Sequence, residues 1–109
     1  MKPLSGLRIL DLSRVLAGPT TSAILGDLGA YVIKVENPNG GDETRGWGPP
    51  WADTESAYYL SANRNKRSIT VNFKNEKGKK IIEDILKASD VVLLNFPVQT
   101  LEKLDLTYE

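Results

Sequence analysis

The sequence predicts an α/β fold in which an open, mostly parallel sheet is flanked by helices. Three observations carry this expectation. Four short apolar stretches are separated by segments of helical or loop character. Two of them, AYVIKVE and DVVLLNF, are nearly continuous in Val, Ile and Leu, as happens where helices cover both faces of a parallel sheet. The first stretch runs into Gly18-Pro19, and proline suits the opening turn of a helix. With 109 residues there is room for one core, so residues 1–109 are expected to form a single α/β unit.

Each element follows in order. Arg8–Leu12 (RILDL) is the first strand, TTSAILGDLG a helix that Gly29 ends, and Ala30–Glu36 the second strand, which together make a strand–helix–strand unit. The stretch 37–51 (NPNGGDETRGWGPPW) holds four glycines and three prolines, which predicts a loop without regular structure, followed by a short helix around Thr54–Ala62. Ser68–Phe73 alternates Ile69, Val71 and Phe73 against Thr70 and Asn72, the pattern of a strand with one wetter face. Asn75 is suited to cap a helix with Ile81, Ile82, Ile85 and Leu86 on one face. On the other face Glu83 precedes Lys87 by four residues, the favourable order for an ion pair. Asp90–Phe96 then closes a second strand–helix–strand unit in a Rossmann-like layer, and such layers bind ligands beyond the carboxyl ends of their strands.

Composition narrows the chemistry. Fourteen basic and 14 acidic residues cancel, and the pI is about 6.3, so binding of nucleic acid through a broad positive field is not expected. Cysteine and histidine are absent, which removes disulfides, thiolate nucleophiles, Cys-type zinc sites and the usual base at neutral pH. Acid–base or covalent work would fall to Asp, Glu, Lys or Tyr, and neither a metal site nor a permanently bound cofactor is expected. The opening MKPLSGL lacks the long apolar run of a secretory signal, and no stretch approaches the roughly eighteen apolar residues of a membrane span. The expectation is a soluble cytoplasmic protein, or a mitochondrial one if a transit peptide is missing.

Several positions could carry function. The turn LSRVLAGPTTSA joins a strand to a helix start, where free N–H groups and the helix dipole favour anions, but it lacks the G-x-G-x-x-G dinucleotide pattern. Glu36 follows Gly18 by eighteen residues, the spacing at which a nicotinamide-dinucleotide domain places its ribose-binding acid; otherwise it is a solvated carboxylate pairing with Lys34 or Arg45. Gly40 and Gly41 fit a turn with positive φ. Trp47 and Trp51 suit an aromatic wall or a small cluster beneath the loop, and Tyr58 and Tyr59 suit packing. In SANRNKRSITVNFK, the cations Arg64, Lys66, Arg67 and Lys74 read as a solvated run, yet Lys74 lies just past the third strand. Asn95 and Phe96 end the fourth. A cation, an amide and a ring at neighbouring strand ends match an adenine nucleotide with phosphates.

The blocks LSGLRILDLSRVLAGP, LGDLGAYVIKVE, GGDETRGWGPP, NRNKRSITVNFK and DVVLLNF, in this order, resemble the class III coenzyme A transferases over Pro3 to about Tyr108. WGPPWADTESAYYLSANRNKRSI is similar to the branch acting on dicarboxylates such as succinate and glutarate. The resemblance implies the amino-terminal part of a longer chain whose subunits interlock as a dimer, with acyl-CoA and carboxylate substrates and a homo-oligomeric or complementary-chain partner. It also implies an aspartate nucleophile, beyond Glu109, that passes through an acyl anhydride to an aspartyl-CoA thioester. No catalytic residue is then expected here, and the chain alone is expected to be inactive. By match to the family, CoA is expected to contact Val15, Leu16 and Ala17 at its thioester end, Asn37 near the adenosine, Val71 and Lys74 beside the nucleotide, and Asn95, Phe96 and Lys103 as further contacts, with Lys74 and Lys103 answering phosphate charges. Pro97-Val98-Gln99 lacks the family's glycine after NF. Asn37 and Lys103 replace residues that are often basic and often arginine. A noncatalytic nucleotide-binding or interaction module, and an NAD-binding domain, are the competing readings.

Overall fold

A computed structural model describes residues 1–107. Its centre is an all-parallel sheet of β1 (Arg8–Asp11), β2 (Tyr31–Glu36), β5 (Arg67–Thr70) and β6 (Val91–Leu93), in the order β5-β2-β1-β6. Between them lie α1 (Ala17–Asp27), the short antiparallel pair β3 (Trp51–Ala52) and β4 (Glu55–Ser56), α2 (Ala57–Ala62) and α3 (Glu76–Lys87), with α4 (Val98–Lys103) after β6. Ile9 stands opposite Val32 on one side and Val91 on the other, and Val35 opposite Ile69.

Strand alternation divides the core in two. Leu10, Leu12, Val35 and Val71 are buried with Ile82 of α3, joined by Ile33, Ile69, Ile85, Leu86 and Phe96. On the opposite face Ile9, Ala30 and Val32 pack with Leu4, Leu7, Leu25 of α1 and Leu93. Helix α3 begins as expected: the Asn75 side chain accepts the Lys77 N–H at 2.8 Å, and Lys87 reaches Glu83 at 2.9 Å. Its fit to the sheet depends on Gly78, where a Cβ would lie 1.9 Å from the Asn72 carbonyl oxygen. Gly29, at φ +108°, ends α1 as anticipated.

Several expectations need correction. The third strand stops at Thr70 rather than Phe73, because the Asn72 side chain and carbonyl take the N–H groups of Lys74 (3.0 Å) and Asn75 (3.2 Å) and turn the chain into α3. The fourth stops at Leu93, since β1 accompanies it only as far as the Leu12 N–H bond to the Leu93 carbonyl. It is an edge strand, with Val91 and Val92 each 37% exposed, not one covered on both faces. Residues 54–56 belong to a hairpin turned at Asp53 (φ 59°), and Ser56 caps α2, so that helix starts three residues later than expected. The loop after β2 contains a 3-10 turn, Glu43–Gly46. Ile81 is exposed, because the inward stripe of α3 runs through Ile82, Ile85 and Leu86. Pro97 precedes α4, a helix the sequence did not announce.

Candidate functional site

The site grows from the ends of the strands. After β1, Ser13–Leu16 turn sharply before α1, and Gly18 folds back so closely that a Cβ there would stand 2.3 Å from the Ser13 side chain. Val15 has φ 76°, a left-handed conformation that costs a β-branched residue about 1–3 kcal/mol and persists only when neighbours enforce it. Beneath the turn Asp11 is fully buried, accepting the Ser13 N–H (2.9 Å), the hydroxyls of Ser13 and Ser22, and Lys66 Nζ (3.2 Å). Lys66 also donates to the carbonyls of Pro19 (2.8 Å) and Ala62 (3.1 Å) and to Asn63 Oδ1 (2.8 Å). Burial pushes its ammonium down to about 8, with Asp11 opposing.

Two more networks hold the loop after β2. Glu36, at 3% exposure, accepts from Asp42 N–H (2.8 Å), Arg45 Nε (2.7 Å) and Nη2 (2.8 Å), Tyr59 Oη (3.1 Å) and the Ser68 hydroxyl. Burial alone would raise the Glu36 carboxyl, but Arg45, Ser68 and the Asp42 N–H outweigh it and bring it to about 2. Burial beside the Glu36 charge pushes the Tyr59 phenol well up, and Glu36 raises Arg45 further. Lys34 meets Asp42 at 2.8 Å, with side chains 1% and 0% exposed. Asp42 lies below the usual carboxylate range: burial would raise it, but Lys34 and the Thr44 N–H and hydroxyl win.

Above these networks, at the carboxyl ends of all four strands, opens a cleft of about 330 Å³. Asn37, Val71, Lys74 and Phe96 line it, together with Arg14 and Thr100. Phe96 meets Phe73 edge-on with centroids 6.2 Å apart, which ties the end of β6 to that of β5. Asn95 donates to the Arg14 carbonyl at 2.9 Å, so the bend at Val15–Ala17 adjoins the end of β6. Val15 is half-buried and Leu16 and Ala17 are exposed on the bend, not on the cleft wall, as is Lys103 at the last turn of α4. The arrangement presents two exposed cations, Arg14 and Lys74, two rings, Phe73 and Phe96, and several amides to a ligand.

Of the four cations in SANRNKRSITVNFK, Lys74 alone lines this cleft. Arg64 pairs with Asp27 (2.6 Å), Lys66 is buried, and the Arg67 guanidinium lies 5.3 Å from the Tyr31 ring. They organise the loop, as does the Trp47–Tyr58 contact at 5.2 Å. Glu36 is not solvated, and its partner is Arg45, not Lys34; with five donors already on its two oxygens it has none left for a ribose. The nicotinamide reading loses its main residue. Sequence reasoning missed Arg14, and the Lys34–Asp42 pair and Lys66 as buried anchors. A signal existed: Asp11, Lys34 and Glu36 share the alternation of Ile9 and Val32, which places them on a covered face.

The described fold is thus a parallel α/β layer with a ligand-sized cleft at its strand ends. The sequence profile of CoA-transferase family III matches residues 4–109, and the chain belongs to that family. It is 57% identical over 109 residues to the succinyl-CoA:glutarate CoA-transferase of Homo sapiens and 55% identical over 109 residues to that of Mus musculus; each match covers 100% of this chain and 25% of the relative. A CAIB/BAIF family protein from Brucella suis superposes with a TM-score of 0.91 at 45% identity, over 98% of this chain and 29% of that one. The chain therefore spans about a quarter of the length of these curated relatives. Among the described residues there is no cluster of three acidic, His or Cys side chains fit for a metal ion, and no helix is long and apolar enough to cross a membrane.

Proposed function

We propose that this chain is the amino-terminal, coenzyme A-holding part of an enzyme that moves CoA between carboxylic acids, with dicarboxylates such as succinate and glutarate as its acids. The supporting observation is the convergence of Asn37, Val71, Lys74 and Phe96 on one cleft beside the Val15–Ala17 bend. Lys74 would neutralise a phosphate of the nucleotide, Phe96 and Val71 would lie against its apolar portions, and the bend would receive the thioester end. Lys103, one turn beyond Thr100, would answer a second phosphate from the rim.

The reacting carboxylate belongs to sequence outside these residues. There an aspartate attacks the acyl carbonyl and releases CoA thiolate, leaving a mixed anhydride. The thiolate then attacks the aspartyl carbonyl, expelling the donor acid and forming an aspartyl-CoA thioester, from which the acceptor acid recovers CoA. A second copy or a complementary chain supplies what the 109 residues lack, and the chain alone turns nothing over.

Titration calorimetry with CoA, 3′-dephospho-CoA and ADP tests this reading. CoA should bind more tightly than ADP, and Lys74→Ala should weaken CoA about tenfold, the scale of one charge-assisted contact. Indifference to all three ligands would overturn it. Binding without turnover, even when the remainder of a relative is supplied, would assign a noncatalytic nucleotide-binding module instead.

A further inference from the structure

We infer that Lys34, Asp42 and Asn95 are positioning residues that clamp the turn between β1 and α1 in a left-handed conformation it would not keep by itself. The clamp stands on geometry, and it rests on the coenzyme A reading only for what the turn receives. Three successive residues of the turn offer backbone groups, and three side chains from separate segments take them. Lys34 Nζ donates to the Ser13 carbonyl at 3.4 Å, Asn95 Nδ2 donates to the Arg14 carbonyl at 2.9 Å, and the Val15 N–H donates to Asp42 Oδ2 at 3.3 Å. Lys34 and Asp42 are also bonded to each other at 2.8 Å, so the buried ion pair and the peptides from Ser13 to Val15 close a ring.

The parts of the clamp are themselves fixed. Asp42 Oδ1 accepts the Thr44 N–H (2.9 Å) and hydroxyl (2.8 Å), while the Asp42 N–H donates to Glu36 Oε1. Both ions are shielded from water and held by these bonds. Val15 is what they hold, with φ 76° at a β-branched residue. Freed from Asp42, this residue would relax to negative φ and redirect Leu16 and Ala17. Sites displaced by as little as about 1 Å lose much of their activity, so a rim made by a strained turn needs such support.

The test uses the protein at its natural length and reads CoA affinity, hydrogen exchange at the Val15 amide and the thermal midpoint. The variants are Asp42→Asn and Asn95→Ala, each alone and with Val15→Gly. Asn95→Ala leaves the ion pair intact, so it remains informative if Asp42→Asn fails to fold. Each single variant should lose protection at Val15 and about tenfold in CoA affinity. Glycine adopts positive φ without a side-chain clash, so adding Val15→Gly should restore most of the affinity without restoring the midpoint. A merely structural role would move the midpoint and give no such rescue. Fast exchange at Val15 in the unmodified protein, or single variants that bind CoA normally, would overturn the clamp. Failure of the unmodified protein to bind CoA would overturn the functional reading instead, while loss of Val15 protection in the variants would still support the clamp.

Discussion

Against α3 the sheet presents Leu10, Leu12, Ile33 and Val35, a dry layer closed by Ile82, Ile85 and Leu86. Against α1, α2 and the loop after β2, the same strands present Ile9 and Val32 near their amino ends, then Asp11, Lys34 and Glu36 near their carboxyl ends. All three charged groups are nearly or fully buried and each has an oppositely charged partner. Apolar contact is non-directional and settles mainly that α3 covers the sheet. Directed bonds to buried charges are costly to bury and stabilise little on balance, but they dictate where backbone atoms point. The cleft opens where the two meet, lined by Leu12, Val35, Val71 and Phe96 of the dry layer and by Lys34, Glu36 and Asp42 of the polar one.

The comparison can be broken hardest at Lys66. Lys66→Met leaves Asp11 buried without its counter-ion and should cost about 3–5 kcal/mol in denaturant unfolding. The lysine also leaves a pH signature. Its folded value of about 8 lies below the ordinary 10.5, so the folded state binds the proton less readily. Stability should rise between those pH values, and the methionine variant should lack the rise. On the dry face, Leu10→Ala should cost about 3 kcal/mol by the same measurement, with no change in pH profile.

Acid titration sharpens the contrast further. Glu36 is depressed from 4.5 to about 2, so its stabilisation is complete above 4.5, declines as pH falls, and is gone once pH has passed below 2. Circular dichroism between those limits should show that decline, and Glu36→Gln should flatten it. A smaller effect is expected from joint replacement of Lys34 by Met and Asp42 by Asn, whose amide oxygen can still accept from Thr44. It removes both charges together and should stay within about 1–2 kcal/mol of the parent, less than Lys34→Met alone. Least of all, Lys87→Ala on the exposed face of α3 should leave the unfolding midpoint within experimental scatter.

The dry half was the legible half. Alternation in SITVNF and the helical spacing of Ile82, Ile85 and Leu86 name their partners directly, because a periodic stripe needs a covered face and little else. Asn75 and Gly29 were legible for local reasons, a cap and a left-handed helix end. The site was half legible: the strand-end rule pointed to Lys74, Asn95 and Phe96, and the family resemblance added Asn37 and Val71; Asn37, Val71, Lys74 and Phe96 share a cleft, while Asn95 lies beside it on the Arg14 carbonyl. What holds the rim was not. Lys34 and Lys66 look like solvated cations in a linear reading, since the acceptors that enclose them come from Ser13, Asp42, Pro19 and Ala62, brought near only by folding. The bounds of β5 and β6 escaped for a similar reason. An apolar run continues past the point where its neighbouring strand turns away.

Gly78 joins the two halves. The first turn of α3 rests on the carbonyl of Asn72, which sits two residues before Lys74 and beside Val71. A methyl group at that contact would have to lever the helix outward or drive the end of β5 toward the opening. One missing side chain in the greasy layer therefore governs how far Lys74 can reach, and the width of the cleft's mouth is set from behind the wall.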